Sequence, residues 1–266
     1  MHVLARFAGP NGEICVLEDP STGARLYREG GVMQSRVRAG GEADVGYVCL
    51  MASLLEKSAE VLLLGCGGGA LAGMLHRRGS RVTVVEVNPV SFQLARTFFW
   101  MPNGIECITA DVREIASPPG RTFDAIGIDV GGPRFSYEEV LSAATLARTR
   151  RALRAGGRIA VNISLEAPDD PVPGRIADRF KAQGLDVWVF AERPFSNELN
   201  TVILASSERE APSALAKVGG NGWSLAHLAG GRMRHRNRSR QSAAAGGPSR
   251  TASSGASIEQ TRPLSS

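Results

Sequence analysis

Cysteine and histidine are scarce in this 266-residue chain, four of each, and neither clusters. Cys15, Cys49, Cys66 and Cys107 form no Cys-x-x-Cys pair, and no histidine stands at ligand spacing. Neither a disulfide framework nor a zinc site is expected, and a reducing cytoplasm fits. Long apolar runs are missing as well: no stretch approaches the roughly 18 residues that a membrane helix needs. Residues 1–6 show neither the basic region nor the apolar run of a secretory signal. The excess of 31 Lys and Arg over 26 Asp and Glu is local. Residues 207–266 hold nine basic against three acidic residues, which leaves 22 against 23 in residues 1–206. The first 206 residues are therefore near neutral, and the basic character belongs to the rest.

The chain is long enough for one domain of about 200 residues with a sizeable core. Residues 1–45 alternate short β-prone runs with turn signals such as Asp19-Pro20-Ser21-Thr22-Gly23, which predicts a small antiparallel unit of two or three strands. A helix is predicted over 46–57. Strand and helix patterns then alternate: strands at 61–64, 82–86, 105–109, 123–129 and 158–163, with helices from Ala70, over 89–97 and over 137–153. A helix at 175–183 and an antiparallel hairpin of 186–191 with 200–205 close the pattern. The expected fold class is α/β over residues 46–206: a doubly wound, mostly parallel, seven-stranded sheet behind the N-terminal β-unit. Residues 207–266, rich in Gly, Ser, Ala and Arg, are expected to be a disordered basic tail. Arg232, Arg234, Arg236, Arg238 and Arg240 recur there at every second position. No aromatic residue is interleaved with them, so a solvated tail is favoured over a nucleic-acid arm.

Function concentrates where the 61–64 run stops at Gly65-Cys66-Gly67-Gly68-Gly69. Glycines there let the backbone turn sharply toward a ligand, and the helix that follows offers free N–H groups. Glu86 lies 21 residues after Gly65 at the end of the next strand, placed to accept hydrogen bonds from the hydroxyls of a ribose. Gly65, Gly67 and Ala70 satisfy the dinucleotide pattern, which keeps a nicotinamide-dependent oxidoreductase in view. Gly69 also completes Gly-x-Gly-x-Gly, the turn of S-adenosylmethionine sites. Asp111 ends the third strand where an adenine amino group would need an acceptor, and Asp129 ends the fourth. Each has a structural alternative: Glu86 and Asp111 as helix caps, Asp129 as the organiser of the Gly131-Gly132-Pro133 turn.

From these residues the chain resembles the spermidine synthase family, aminopropyltransferases with the S-adenosylmethionine-dependent methyltransferase fold. The likeness spans roughly residues 12–206. It rests on Gly30-Gly31-Val32-Met33-Gln34-Ser35, similar to the family's Gly-Val-x-Gln-Ser segment. Tyr47 matches the Tyr of a Tyr-His-Glu motif, and Leu63 stands where most methyltransferases are acidic. The resemblance implies S-adenosylmethionine or its decarboxylated form as co-substrate, with no metal. Gln34, Gly65, Gly67, Gly69, Glu86, Asp111 and Asp129 would bind it, and Asp129 with Tyr47 would be catalytic. It also implies a small-molecule acceptor, leaves a homodimer open, and involves no membrane.

Three departures separate the chain from the family. Gly68 stands where the family's glycine turn carries Asp. In Asp129-Val130-Gly131-Gly132-Pro133, Gly132 replaces the Asp that takes the amine's proton. Val48 and Cys49 replace the His and Glu beside Tyr47. The expected function is therefore aminopropyl transfer to a small amine, with methyl transfer or nucleoside binding without turnover as alternatives. Tyr137, Glu138 and Glu139 are further acid/base groups within reach, although carboxylates are common in a helix's first turn for electrostatic reasons alone.

Overall fold

The computed structural model describes residues 1–114, 118–132, 135–167, 169–192, 200–208, 223–225, 227–229 and 232–234. Four antiparallel strands open the chain: β1 (His2–Gly9), β2 (Gly12–Glu18), β3 (Arg25–Glu29) and β4 (Val32–Val37), in that spatial order. β1 exceeds the two or three strands expected, because an edge strand exposed along nearly its whole length shows no inside–outside alternation. Opposite it, β3 and β4 shift register between Tyr27 and Arg28, so that Gln34 is the extra residue of a bulge.

After α1 (Gly46–Leu54) the main sheet is built from β5 (Glu60–Leu64), β6 (Arg81–Glu86), β7 (Glu106–Thr109), β8 (Phe123–Ile128), β9 (Leu153–Ser164), β10 (Asp186–Glu192) and β11 (Asn200–Ser206). Its order is β10-β11-β9-β8-β5-β6-β7, with β7, β6, β5, β8 and β9 parallel and β11 antiparallel to both neighbours. Helices cover both faces, so β5 and β8 read as nearly unbroken apolar runs. Leu63 faces the layer of α1 and α2 (Ala70–Arg77), whereas Leu62 and Leu64 face that of α5 (Ala143–Ala152) and α6 (Val172–Lys181). The single helix expected over 137–153 is two, α4 (Tyr137–Val140) and α5, because the Ser142 hydroxyl caps a fresh N-terminus by accepting from Thr145 N.

The N-terminal sheet buries one face against this core. Ile14, Val16, Tyr27 and Val37 join the α1–α2 layer, and Tyr27 bonds Ser91 in α3 (Pro89–Phe98) at 2.8 Å. The Arg25 guanidinium lies 4.3 Å over the Trp100 ring.

The expectation of disorder from 207 onward is corrected in part. β12 (Trp223–Leu225) adds an eighth, antiparallel strand beyond β10, and Trp223 is 2% exposed. β13 (His227–Ala229) and β14 (Arg232–Arg234) form a hairpin, so Arg232 and Arg234 lie in a strand. Arg236, Arg238 and Arg240 fall outside the described residues, as do 209–222 and 241–266 of the expected tail. Among the described residues no helix is long and apolar enough to cross a membrane, and no three His, Cys, Asp or Glu are grouped to hold a metal.

Candidate functional site

Parallel strands deliver their carboxyl ends to one edge, and the end of β5 there is a glycine turn. Gly65 has φ +95°, and a Cβ on it would stand 2.1 Å from the Asp129 carbonyl oxygen, so no other residue fits between β5 and β8. Gly67 continues the turn and Gly69 is the N-cap of α2, which has no side-chain cap and no acid in its first turn. A helix start of this kind suits a polar or anionic ligand.

Ser35, on β4, holds the turn from the other side. Its hydroxyl accepts from Gly68 N at 2.6 Å, and a Cβ on Gly68 would lie 2.9 Å from Ser35 Cβ. An Asp at this position, as in the family, would require β4 to shift. Gln34, predicted to bind the ligand, brings its backbone carbonyl oxygen to 3.5 Å from a Cβ built on Gly67.

Glu86 is where the sequence put it, at the end of β6 and 9% exposed. Its two carboxylate oxygens accept from Cys66 N at 2.9 Å and Asn88 N at 2.8 Å, which ties it to the glycine turn. Burial raises its pKa above the ordinary carboxylate value, and backbone donors only partly offset this. Val87, the next residue, is 64% exposed, an apolar surface at the strand end that sequence reasoning passed over. Burial pushes the Cys66 thiol pKa well up, and Glu86 adds to this, which favours the protonated thiol.

Asp129 and Tyr47, predicted together, are together. Tyr47 OH, in the first turn of α1, donates to Asp129 Oδ2 at 3.3 Å, and Asn162 Nδ2 on β9 donates to Oδ1 at 3.0 Å. Burial raises the Asp129 pKa while both donors pull it down. A cavity of about 20 Å³, room for a water or so, is lined by Ser35, Tyr47, Gly65, Cys66, Ala70 and Asp129. The OH of Tyr137, in α4, accepts from Ser164 N at 2.9 Å, and burial pushes its pKa up to about 12.

Asp111 lies one residue past Ala110, whose N–H donates to the Glu86 carbonyl at 3.1 Å, so β6 and β7 end side by side. Its carboxylate is already engaged: Arg113 N donates to Oδ1 at 2.8 Å and the Arg113 guanidinium reaches both oxygens, which lowers its pKa. Glu138 is drawn away to Arg175, at 2.6 Å, and Arg179 on α6. Gly132 has no atom of the described residues beyond its chain neighbours within 4 Å of a Cβ built there, and Pro133 lies outside the described residues. Ser35 stood inside the segment quoted for Gln34. Asn162 had a signal too, as the lone polar residue in the apolar run 159–163.

Residues 61–157 match a family model described as a methyltransferase domain. No curated protein matches the chain. Among solved structures, a probable spermidine synthase from Corynebacterium glutamicum is 19% identical, with TM-score 0.72, over 85% of this chain and 91% of that one. Spermidine synthase from Thermotoga maritima is 16% identical, with TM-score 0.60, over 84% and 80%. Human methyltransferase-like protein 13, solved in complex with SAH, is 19% identical with TM-score 0.52, over 65% and 88%. The fold is that of the S-adenosylmethionine-dependent methyltransferases. The antiparallel β11 between β9 and β10 belongs to that arrangement and weighs against the nicotinamide reading.

Proposed function

We propose that the chain is a spermidine synthase-like transferase that binds S-adenosylmethionine or its decarboxylated form at the strand ends. It would move a group, an aminopropyl group in the first reading, from the sulfonium to a small acceptor. The observation that carries this is the convergence of a Glu86-braced glycine turn with the Tyr47–Asp129 pair, 82 residues apart in sequence and bonded in one crevice. Glu86 would accept from the ribose hydroxyls through its remaining lone pairs, and Val87 would lie against the adenine. Asp111 would serve the adenine amino group with what Arg113 leaves free. The N-terminal sheet, seated on the core and bonded to Gly68, supports the spermidine synthase-like reading, as does the wider coverage by those structures.

The chemistry is a direct displacement. A lone pair on the acceptor forms a bond to the carbon beside the sulfonium, the carbon–sulfur bond breaks, and its electron pair stays on sulfur, which leaves as a neutral thioether. The acceptor's proton passes to Asp129 or to water. Because the positive sulfur is already a good leaving group, alignment is the larger share of catalysis. Methyl transfer is the second reading, favoured by the seat of Gly68 against Ser35, which leaves no place for the carboxylate that a cationic amine would use.

Calorimetric titration of the full chain with S-adenosylmethionine, its decarboxylated analogue, methylthioadenosine and NAD tests the proposal. All three adenosyl thio-ligands are expected to bind, with at least about tenfold weaker affinity in Glu86→Ala. Preference for the decarboxylated ligand supports aminopropyl transfer and preference for S-adenosylmethionine supports methyl transfer. NAD binding alone overturns both.

A further inference from the structure

We infer that Asn162 is a positioning residue for Asp129: its amide and the Tyr47 hydroxyl grip the two carboxylate oxygens and fix them as hydrogen-bond acceptors facing the crevice. The inference rests on the transferase reading above and deepens it.

Asn162 sits one residue beyond the Ile128–Val161 pair, on the strand next to the one that ends in Asp129, and it is only 6% exposed. An amide buried in a central strand is costly unless its polar atoms are used. Asn162 uses one end. Nδ2 donates to Asp129 Oδ1 at 3.0 Å, while Oδ1 is buried with no donor among the described residues. A side chain kept for packing would be apolar, and one kept for the fold's own hydrogen bonding would be satisfied at both ends. What this amide retains is its bond to the carboxylate.

The orientation of the amide and the charge of Asp129 depend on each other. With Asp129 ionised, only Nδ2 can face it, since Oδ1 would meet a carboxylate oxygen. With Asp129 protonated, the reversed amide becomes acceptable, because a carboxyl O–H could donate to Oδ1. Holding Nδ2 inward therefore favours the ionised form against the burial that opposes it. Tyr47 from α1 acts the same way on Oδ2 at 3.3 Å, and Tyr137 from α4 also senses Asp129. An ionised, oriented carboxylate is what the transferase reading asks of Asp129, as acceptor of the leaving proton and partner for a cationic sulfonium. Asn162 touches neither, and acts through Asp129.

The test follows the Asp129 carboxyl by ¹³C NMR in the full chain labelled at the aspartate side-chain carboxyl, with Asp129→Asn for assignment. Asn162→Leu is expected to raise the titration midpoint by about one pH unit or more. Asn162→Ser, which keeps a donor, is expected to fall between, and it decides the question should Asn162→Leu not fold. A midpoint unmoved in the folded variants overturns the inference. S-adenosylmethionine affinity measured from pH 5 to 8 separates this from the reading beneath it. The acid limb of binding should move with the midpoint in Asn162→Ser or Asn162→Leu. Binding whose pH dependence ignores Asn162 sinks the positioning role alone. If neither S-adenosylmethionine nor methylthioadenosine binds, the transferase reading fails and the inference falls with it.

Discussion

Glu86 sets binding against folding. It is buried, it accepts two backbone hydrogen bonds, and desolvation still leaves its pKa above that of a free carboxylate. For an acid whose folded value is raised, the native state holds its proton more tightly than the unfolded chain. This group's contribution is therefore most favourable below the unfolded value, about 4.3, and declines as pH rises through the folded one. Asp129, also raised by burial, works in the same direction. Glu86→Gln removes the first of these slopes. The difference in Tm between wild type and Glu86→Gln should shift toward the variant as pH goes from about 4 to 7, read by scanning calorimetry. A difference that stays constant over that range would mean that Glu86 does not titrate as a buried group.

At the scale of elements, the site depends on β4 meeting the turn after β5, and one hydroxyl makes that contact. Ser35→Ala leaves Gly68 N without its partner in a part-buried place, which should cost about 1–2 kcal/mol in urea unfolding and weaken S-adenosylmethionine binding. Ser35→Thr, which keeps the oxygen, should recover most of the stability. Little of this was legible in sequence. The glycine turn and Glu86 stood out because β5 and β6 are short apolar runs that end at the same edge of a parallel sheet, so strand ends and chemistry coincide. The Tyr47–Asp129 pair came from a motif rather than from periodicity. Ser35 was hidden because a bulge at Gln34 decides which neighbour faces the turn, and bulges leave no mark on composition. Asn162 was hidden for another reason, since its partner lies on the adjacent strand, 33 residues away. β12 was missed because three residues in a Gly- and Ser-rich stretch have no period to read, and their pairing partner is more than 30 residues upstream.

β12 carries the folded core past residue 206. Residues 1–236 form one compact unit, and Trp223 joins the same core cluster as Phe190 and Val202. β12 pairs along Phe190, Ala191 and Glu192, with Ser224 Oγ donating to the Ala191 carbonyl at 3.5 Å. A chain cut after Ser206 would turn β10 into an edge strand whose Val187-Trp188-Val189-Phe190 run carries no charge, and it would uncover part of the core that Trp223 seals. An open edge of that composition is a template for pairing with other chains. The truncation at 206 should therefore melt lower than the full chain and show concentration-dependent light scattering, whereas a truncation at 236 should do neither. Trp223→Ala in the full chain should lose about 3–5 kcal/mol, the range for removing a large buried aromatic, and Trp223→Phe clearly less. If the 206 truncation were as stable and monodisperse as the full chain, β12 would be an ornament on the sheet. If it were not, ligand titrations would have to be made on chains that keep residues 207–236.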